Sequence, residues 1–69
     1  MKNELIFYIE ESVDGGFEAK ALGYSIYTEG ENLEDLKKNI RDAVLCHFEE
    51  GEAPQVIKLH FVHEEAMAI

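Results

Sequence analysis

The chain has 69 residues, of which 46% are apolar and 10% aromatic, so it can form one small domain and no second core. A domain of this size buries only about 60% of the surface that its unfolded chain exposes, so an oligomer or a tightly bound partner is expected to add stability. Fifteen acidic residues against six basic ones give a net charge of −9, which repels phosphate backbones and argues against direct nucleic-acid binding.

Three strands are predicted before the first helix. The first, Asn3 to Glu10, has apolar residues on both faces, which is typical of a strand covered on both sides. A turn from Glu11 to Gly16, with an Asp-Gly signal that favours a hairpin, then leads into a strictly alternating second strand, Phe17 to Ala21. A break at Leu22-Gly23 precedes a third strand, Tyr24 to Thr28. The short connections predict an antiparallel meander.

One amphipathic helix follows, predicted from Leu33 to Glu50. Asn32 is a favoured N-cap, and Asp35 at the third helical position can complete a capping box. Gly51 fits the position just beyond the helix end, where a left-handed residue is favoured. Apolar residues at three- and four-residue spacings form one stripe: Leu33, Leu36, Ile40, Ala43, Val44 and Phe48. This stripe is expected to cover the sheet.

The last strand is predicted from Gln55 to His63, and the tail, Glu64 to Ile69, is expected to be frayed or helical. The order β-β-β-α-β predicts a single α+β domain over residues 1–69: an antiparallel three-stranded meander plus a fourth strand, with one helix packed on one sheet face. The other face is expected to be partly apolar and uncovered, and such a patch usually marks an interface. The predicted interface for a homo-oligomer consists of Ile6, Tyr8, Ile26, Val56 and Val62.

The residues that could carry catalysis or bind a metal do not form a recognisable cluster. His60 and His63 are three apart on a predicted strand, so they point to opposite faces and cannot chelate one metal. Cys46 and His47 are neighbours on a helix, where adjacent side chains diverge by about 100°, so Cys46 is interpreted as packed and inert. We therefore expect a binding module that is not an enzyme and has no catalytic residue, metal or cofactor.

Acidic residues gather at two places along the chain. Glu10, Glu11 and Asp14 surround the predicted hairpin turn, and Glu29 and Glu31 stand near the helix start. These five carboxylates are the candidate docking surface for a basic protein, while simple solvation of turns and helix ends remains the alternative interpretation. No apolar run is long enough for a signal peptide or a membrane span, which predicts a cytoplasmic protein that does not associate with membranes.

Two stretches resemble the HicB-like antitoxin family. The residues from Ile9 to Ala19, with an acidic turn of Asp14, Gly15 and Gly16 before an aromatic and a small residue, are similar to the opening of those domains. The residues from Thr28 to Leu36 are similar to the family's second signature: a threonine, a glycine, an acid, a capping residue and an acidic-apolar first turn. Between them, Ala21–Tyr24 keeps the family's leucine and glycine but lacks its prolines.

The resemblance implies a partial RNase H-like fold of β-β-β-α-β order. It also implies an antitoxin role, in which the acidic protein covers a small basic HicA-type toxin, an mRNA-cleaving ribonuclease, and blocks its access to RNA. Many members carry a C-terminal DNA-binding segment, and this chain is expected to contain none. The alternative function is a stand-alone homo-oligomeric domain that serves in regulation or ligand sensing.

Overall fold

Four strands and one helix make up the fold of the computed structural model, which describes residues 4–63 and 65–69. In chain order they are β1 (Glu4–Glu11), β2 (Phe17–Ala21), β3 (Tyr27–Gly30), α1 (Leu33–His47) and β4 (Val56–Phe61). The strands form one mixed sheet in the order β3-β2-β1-β4, and α1 packs on one of its faces. The predicted α+β fold with a three-stranded meander is therefore confirmed.

The sheet joins an antiparallel meander to one parallel pair. β1 and β2 are antiparallel with Ile9 opposite Ala19, and β2 and β3 are antiparallel with Ala19 opposite Thr28. β4 returns beside β1 in parallel, with Phe7 opposite Leu59. β1 is thus a central strand, paired with β2 at one edge and with β4 at the other. Only one of its two faces is covered by α1, and Leu5, Phe7 and Ile9 are buried on that face.

The core lies between α1 and one face of the sheet. Its buried side chains come from β1, β2, the loop before β3 and α1: Leu5, Phe7, Ile9, Ala19, Ile26, Leu36, Ile40 and Val44. α1 approaches β3 and β2 most closely, on the side of the sheet away from β4. Ala19 lies fully buried beneath it, and this small side chain allows the helix to come close. On β4, Ile57 and Leu59 are only half-buried.

The start of α1 forms as its sequence predicts, because the side chain of Asn32 caps the first turn. Its Oδ1 accepts a hydrogen bond from the Asp35 backbone N–H at 2.8 Å, and its Nδ2 donates to Asp35 Oδ2 at 3.4 Å. Asp35 and Glu34 also place negative charge at the positive end of the helix dipole. The capping residue therefore fixes where the helix begins.

The end of α1 was predicted three residues too late. The helix ends at His47, since Phe48 has an extended backbone and turns its ring onto Tyr24, with centroids 5.2 Å apart. Gly51 has the left-handed conformation expected, with φ of 84°, but it belongs to the following turn, in which the Glu52 N–H donates to the Glu49 carbonyl. Leu33, at the start of the predicted stripe, is exposed.

The predicted boundaries of β3 were also wrong. As a result, Ile26 was predicted to lie on the wrong face of the sheet. Tyr24 to Ile26 form a loop, and β3 begins at Tyr27. The Ile26 carbonyl closes this loop by accepting from the Ala21 N–H, while its side chain is only 6% exposed and lies in the core. Tyr27 takes the place on the uncovered face that was predicted for Ile26, because it lies opposite Lys20.

The remaining predicted interface residues lie on the face of the sheet away from α1, called here the open face. Tyr8, Val56 and Val62 are exposed there and Ile6 is half-buried. The predicted first strand began at Asn3 and the predicted tail at Glu64, both of which lie outside the described residues. Residues 65–69 contain no helix and are all exposed, so they do not cover the open face.

Candidate protein-binding site

The five carboxylates predicted to bind a partner all come to one end of the sheet. This is the end where β1 finishes, β2 begins and β3 finishes, and where α1 has its N-terminus. The further acids at the same end include Glu18 from β2 and Asp35 from the first turn of α1. We call this surface the acidic end; its residues are Glu10, Glu11, Asp14, Glu18, Glu29, Glu31 and Asp35.

Three of these carboxylates form a row across the open face. The strand register places Glu10 directly opposite Glu18, and Glu18 directly opposite Glu29. Adjacent strands are about 4.8 Å apart, so this row holds three like charges on neighbouring strands, an arrangement that disfavours folding. A solvated face would not require this alignment. A site for a cationic partner would benefit from it, because the partner's positive charges would offset the repulsion.

Sequence reasoning missed Glu18, although a signal was present. The alternation that turns Phe17 and Ala19 inward places Glu18 on the outer face. That Glu10 and Glu29 lie opposite Glu18 could not be predicted, because the sequence did not specify the register of the three strands. Asp35 was predicted to complete the helix cap, a role that it does fill, and was not among the five residues predicted to bind a partner.

A groove of about 670 Å³ lies beside this row, between the β1–β2 turn, the end of β3 and the start of α1. Acidic residues that line it are Asp14, Glu29, Glu31 and Asp35, and Lys38 also lines it. The Asn39 side chain donates a 2.7 Å hydrogen bond to the Glu29 carbonyl and so ties the helix to the end of β3. The groove is therefore a concave, predominantly anionic surface on a fixed framework.

Close approach of backbones shapes this end of the molecule. A Cβ atom on Gly30 would lie 2.6 Å from the Leu36 nitrogen, so only glycine allows α1 to pack this tightly on the end of β3. In the β1–β2 turn, Gly15 has a φ of 95°, which favours glycine, and the Ser12 N–H donates to the Gly16 carbonyl at 2.7 Å. These glycines position the carboxylates around them.

Next to the carboxylate row lies a second row that is aromatic and basic. Tyr27, Lys20, Tyr8 and His60 lie opposite one another across the four strands. The rings of Tyr8 and His60 make an edge-to-face contact with centroids 5.4 Å apart. Partial burial, followed by the charges of Glu18 and Glu29, raises the pKa of the Tyr27 phenol above its ordinary value of 10.0. Tyr27 therefore stays protonated and uncharged beside the acidic end.

The other candidate residues lie away from this surface. Cys46 is exposed, so the prediction that it is packed was wrong; it lies on the outer side of α1, away from the buried Val44. His47 stacks edge-to-face on Tyr24 at 5.9 Å. Within residues 4–63 and 65–69, no group of three potential metal ligands is found, and no helix is long and apolar enough to cross a membrane.

Relatives of the chain come from both archaea and bacteria. A UPF0150 protein of Thermotoga maritima is 43% identical over 68 residues, which cover 99% of this chain and 96% of the relative. The chain belongs to the UPF0150 family. A UPF0150 protein of Archaeoglobus fulgidus is 54% identical over 52 residues, covering 75% of this chain and 77% of that protein. No family model matches the chain, and no solved structure matches it significantly.

Within the UPF0150 family, the similarity to the Thermotoga protein spans all five elements of the fold, since only one residue of this chain lies outside the match. The match includes the residues of the acidic end. The relatives' names state no activity and no ligand.

Proposed function

We propose that this protein is an antitoxin-like binding module that neutralises a small basic toxin of the HicA type by covering it. The observation that carries the proposal is the acidic end, where the fold gathers seven carboxylates from three strands, a turn and a helix start. The resemblance to HicB-like antitoxins points to the same class of partner. A ribonuclease toxin that binds RNA presents a basic surface, and an acidic cover competes for that surface.

Charge explains both why a basic toxin would be attracted to this protein and where on the surface it would bind. A net charge of −9 attracts a basic protein over long distances, and the acidic end directs the encounter to one part of the surface. The groove beside the carboxylate row offers a concave contact. On the open face, the exposed ring of Tyr27 supplies apolar area next to the carboxylate row. The interaction is therefore expected to be fast, specific in orientation and sensitive to salt.

The direct test is to search beside this gene for one that encodes a small basic HicA-type protein and to express the two together. Co-expression should restore growth of cells that the toxin arrests, and purified proteins should form a complex whose affinity falls as salt rises from about 50 to about 500 mM. A complex whose affinity does not change with salt would contradict the electrostatic part of the proposal. Failure to bind and to restore growth would reject the antitoxin function.

A matched pair of variants tests which end of the molecule binds. The triple variant Glu10→Gln, Glu11→Gln, Asp14→Asn should slow association about tenfold, because it removes three charges from the acidic end. The control removes three charges from the exposed turn at the opposite end of α1, by changing the glutamates at 49, 50 and 52 to glutamine. Equal slowing by both variants would mean that only net charge matters and that the acidic end is not the site.

A further inference from the structure

The edge of the sheet formed by β4 is a second candidate for contact with another protein, separate from the acidic end. β3 and β4 are the two edge strands. β3 has only four residues, and Asn39 already donates to one of its carbonyl groups. β4 has six residues, and α1 does not cover it, because α1 packs mainly against β3 and β2. The edge of β4 therefore presents backbone groups with no covering element among the described residues, an arrangement that favours pairing with another strand.

The distribution of charge favours a second copy of the chain as the partner at the β4 edge. Residues 53–63 are the longest stretch of the sequence without an acidic residue, and they contain Lys58, His60 and His63. Two copies of a chain with a net charge of −9 repel each other at most contacts, and this segment is where they can meet with least repulsion. The Lys58 ammonium group is also paired with Glu4 of its own chain at 3.3 Å, so its charge is partly compensated.

The sequence of β4 is self-complementary in one antiparallel register. When Leu59 lies opposite the partner's Leu59, Ile57 lies opposite the partner's Phe61 on the face that carries α1. On the open face the same register places Val56 opposite the partner's Val62, and Lys58 opposite the partner's His60. Shifting the register by two residues places either the two Lys58 side chains or the two His60 side chains opposite each other.

The backbone supports this register. The Val62 N–H donates to the Ile9 carbonyl at 2.8 Å, so it points toward β1. Because successive residues of a strand alternate in direction, the N–H and C=O groups of Ile57, Leu59 and Phe61 point toward the free edge. These are the residues that would exchange hydrogen bonds with a second copy around the two-fold axis at Leu59. Phe61 is 51% exposed and would be covered by the partner's Ile57.

We propose that two copies of this chain associate through antiparallel pairing of their β4 edges, with Leu59 on the two-fold axis, to form a continuous eight-stranded sheet. The occupant of the β4 edge is a second copy of the chain, joined by backbone hydrogen bonds and by a strip of Ile57, Leu59 and Phe61 from each copy. The two acidic ends then lie at opposite ends of the dimer and remain free, so the dimer does not depend on the proposed function.

Cysteine pairing tests the register directly in a Cys46→Ser background, which removes the exposed native thiol. An equimolar mixture of Lys58→Cys and His60→Cys chains should form a disulfide-linked heterodimer, since this non-hydrogen-bonded pair has its Cα atoms about 4.5 Å apart. Each variant alone should link poorly, because identical positions are two residues out of register and about 8 Å apart. Equal linking of single variants and mixture, or no linking at all, would overturn the proposed register.

Association in solution provides the second measurement. Light scattering should find a dimer as the concentration rises from about 1 µM to about 1 mM, and higher salt should strengthen it because it screens two like-charged chains. Phe61→Lys should raise the dimer dissociation constant at least about tenfold by burying a charge against Ile57. The control Leu45→Lys adds the same charge at a residue 60% exposed on α1 and should leave association unchanged.

A monomer at all concentrations would overturn the dimer, as would equal effects of the two lysine variants. If Phe61→Lys loses its folded circular dichroism spectrum, the cysteine mixture decides the matter, because Lys58 and His60 are exposed. The sign of the salt dependence separates the two proposals: salt weakens binding of a basic toxin and strengthens the dimer.

Discussion

Removing the central charge of the carboxylate row should stabilise the fold. Glu18 faces Glu10 on one neighbouring strand and Glu29 on the other, so Glu18→Gln removes two like-charge pairs at once. With a cost on the order of 0.5 kcal/mol for each directly opposed pair, the free energy of unfolding should rise by about 1 kcal/mol. For a domain of this size that gain raises Tm by roughly 4–8 °C.

Thermal denaturation followed by circular dichroism at low salt measures this gain, and two variants calibrate it. Glu4→Gln, on the same face of β1, loses an exposed ion pair with Lys58 and should lower stability by about 0–1 kcal/mol. Glu52→Gln removes an equal charge from an exposed turn and reports the effect of net charge alone. Near 1 M salt, where screening acts over about 3 Å, the advantage of Glu18→Gln should largely vanish. A variant no more stable than Glu52→Gln at low salt would refute the reasoning.

Three further changes test the packing and electrostatics near the acidic end. Gly30→Ala should destabilise the fold by about 1–3 kcal/mol in chemical denaturation, because its Cβ would lie 2.7 Å from the Leu36 Cα. Asn32→Ala should cost about 1 kcal/mol by removing the helix cap, whereas Asn32→Ser should retain most of the stability in the same assay. The raised pKa of Tyr27 means that the folded state favours the neutral phenol. The stability that this preference contributes is present below pH 10, the ordinary pKa of tyrosine, and is lost as the pH rises through the higher pKa of the folded state. Titration of phenolate absorbance should show the Tyr27 midpoint falling in the Glu18→Gln variant; an unchanged midpoint would contradict the role of that carboxylate.

The order of elements and the helix start followed from local signals in the sequence. Asn32 marks a helix start by its own hydrogen bond, and alternation marks β2, so both depend on residues close in the chain. The end of α1 did not follow, because the apolar spacing continues to Phe48 while tertiary contact with Tyr24 turns that residue out of the helix.

The acidic end could be predicted only in part, for a similar reason. The sequence identified the acids around the hairpin and before the helix, which turn chemistry brings close together. The row through Glu18 depends on the register of three strands, which composition and spacing left open. Ile26 was assigned to the wrong face because β3 begins one residue after it, and a shift of one residue reverses every side chain of a strand.

The position of β4 has a consequence for how the chain acquires its structure during synthesis. β1 is made first, yet its second neighbour is the last strand, with Glu4 opposite Val56. Until β4 arrives, the nascent chain can form the hairpin and the helix, but one side of β1 stays unpaired, with its hydrogen-bonding groups open to other chains. Contacts between such distant residues slow folding, so aggregation during translation is expected to begin at β1, and a chaperone would act best by shielding that strand.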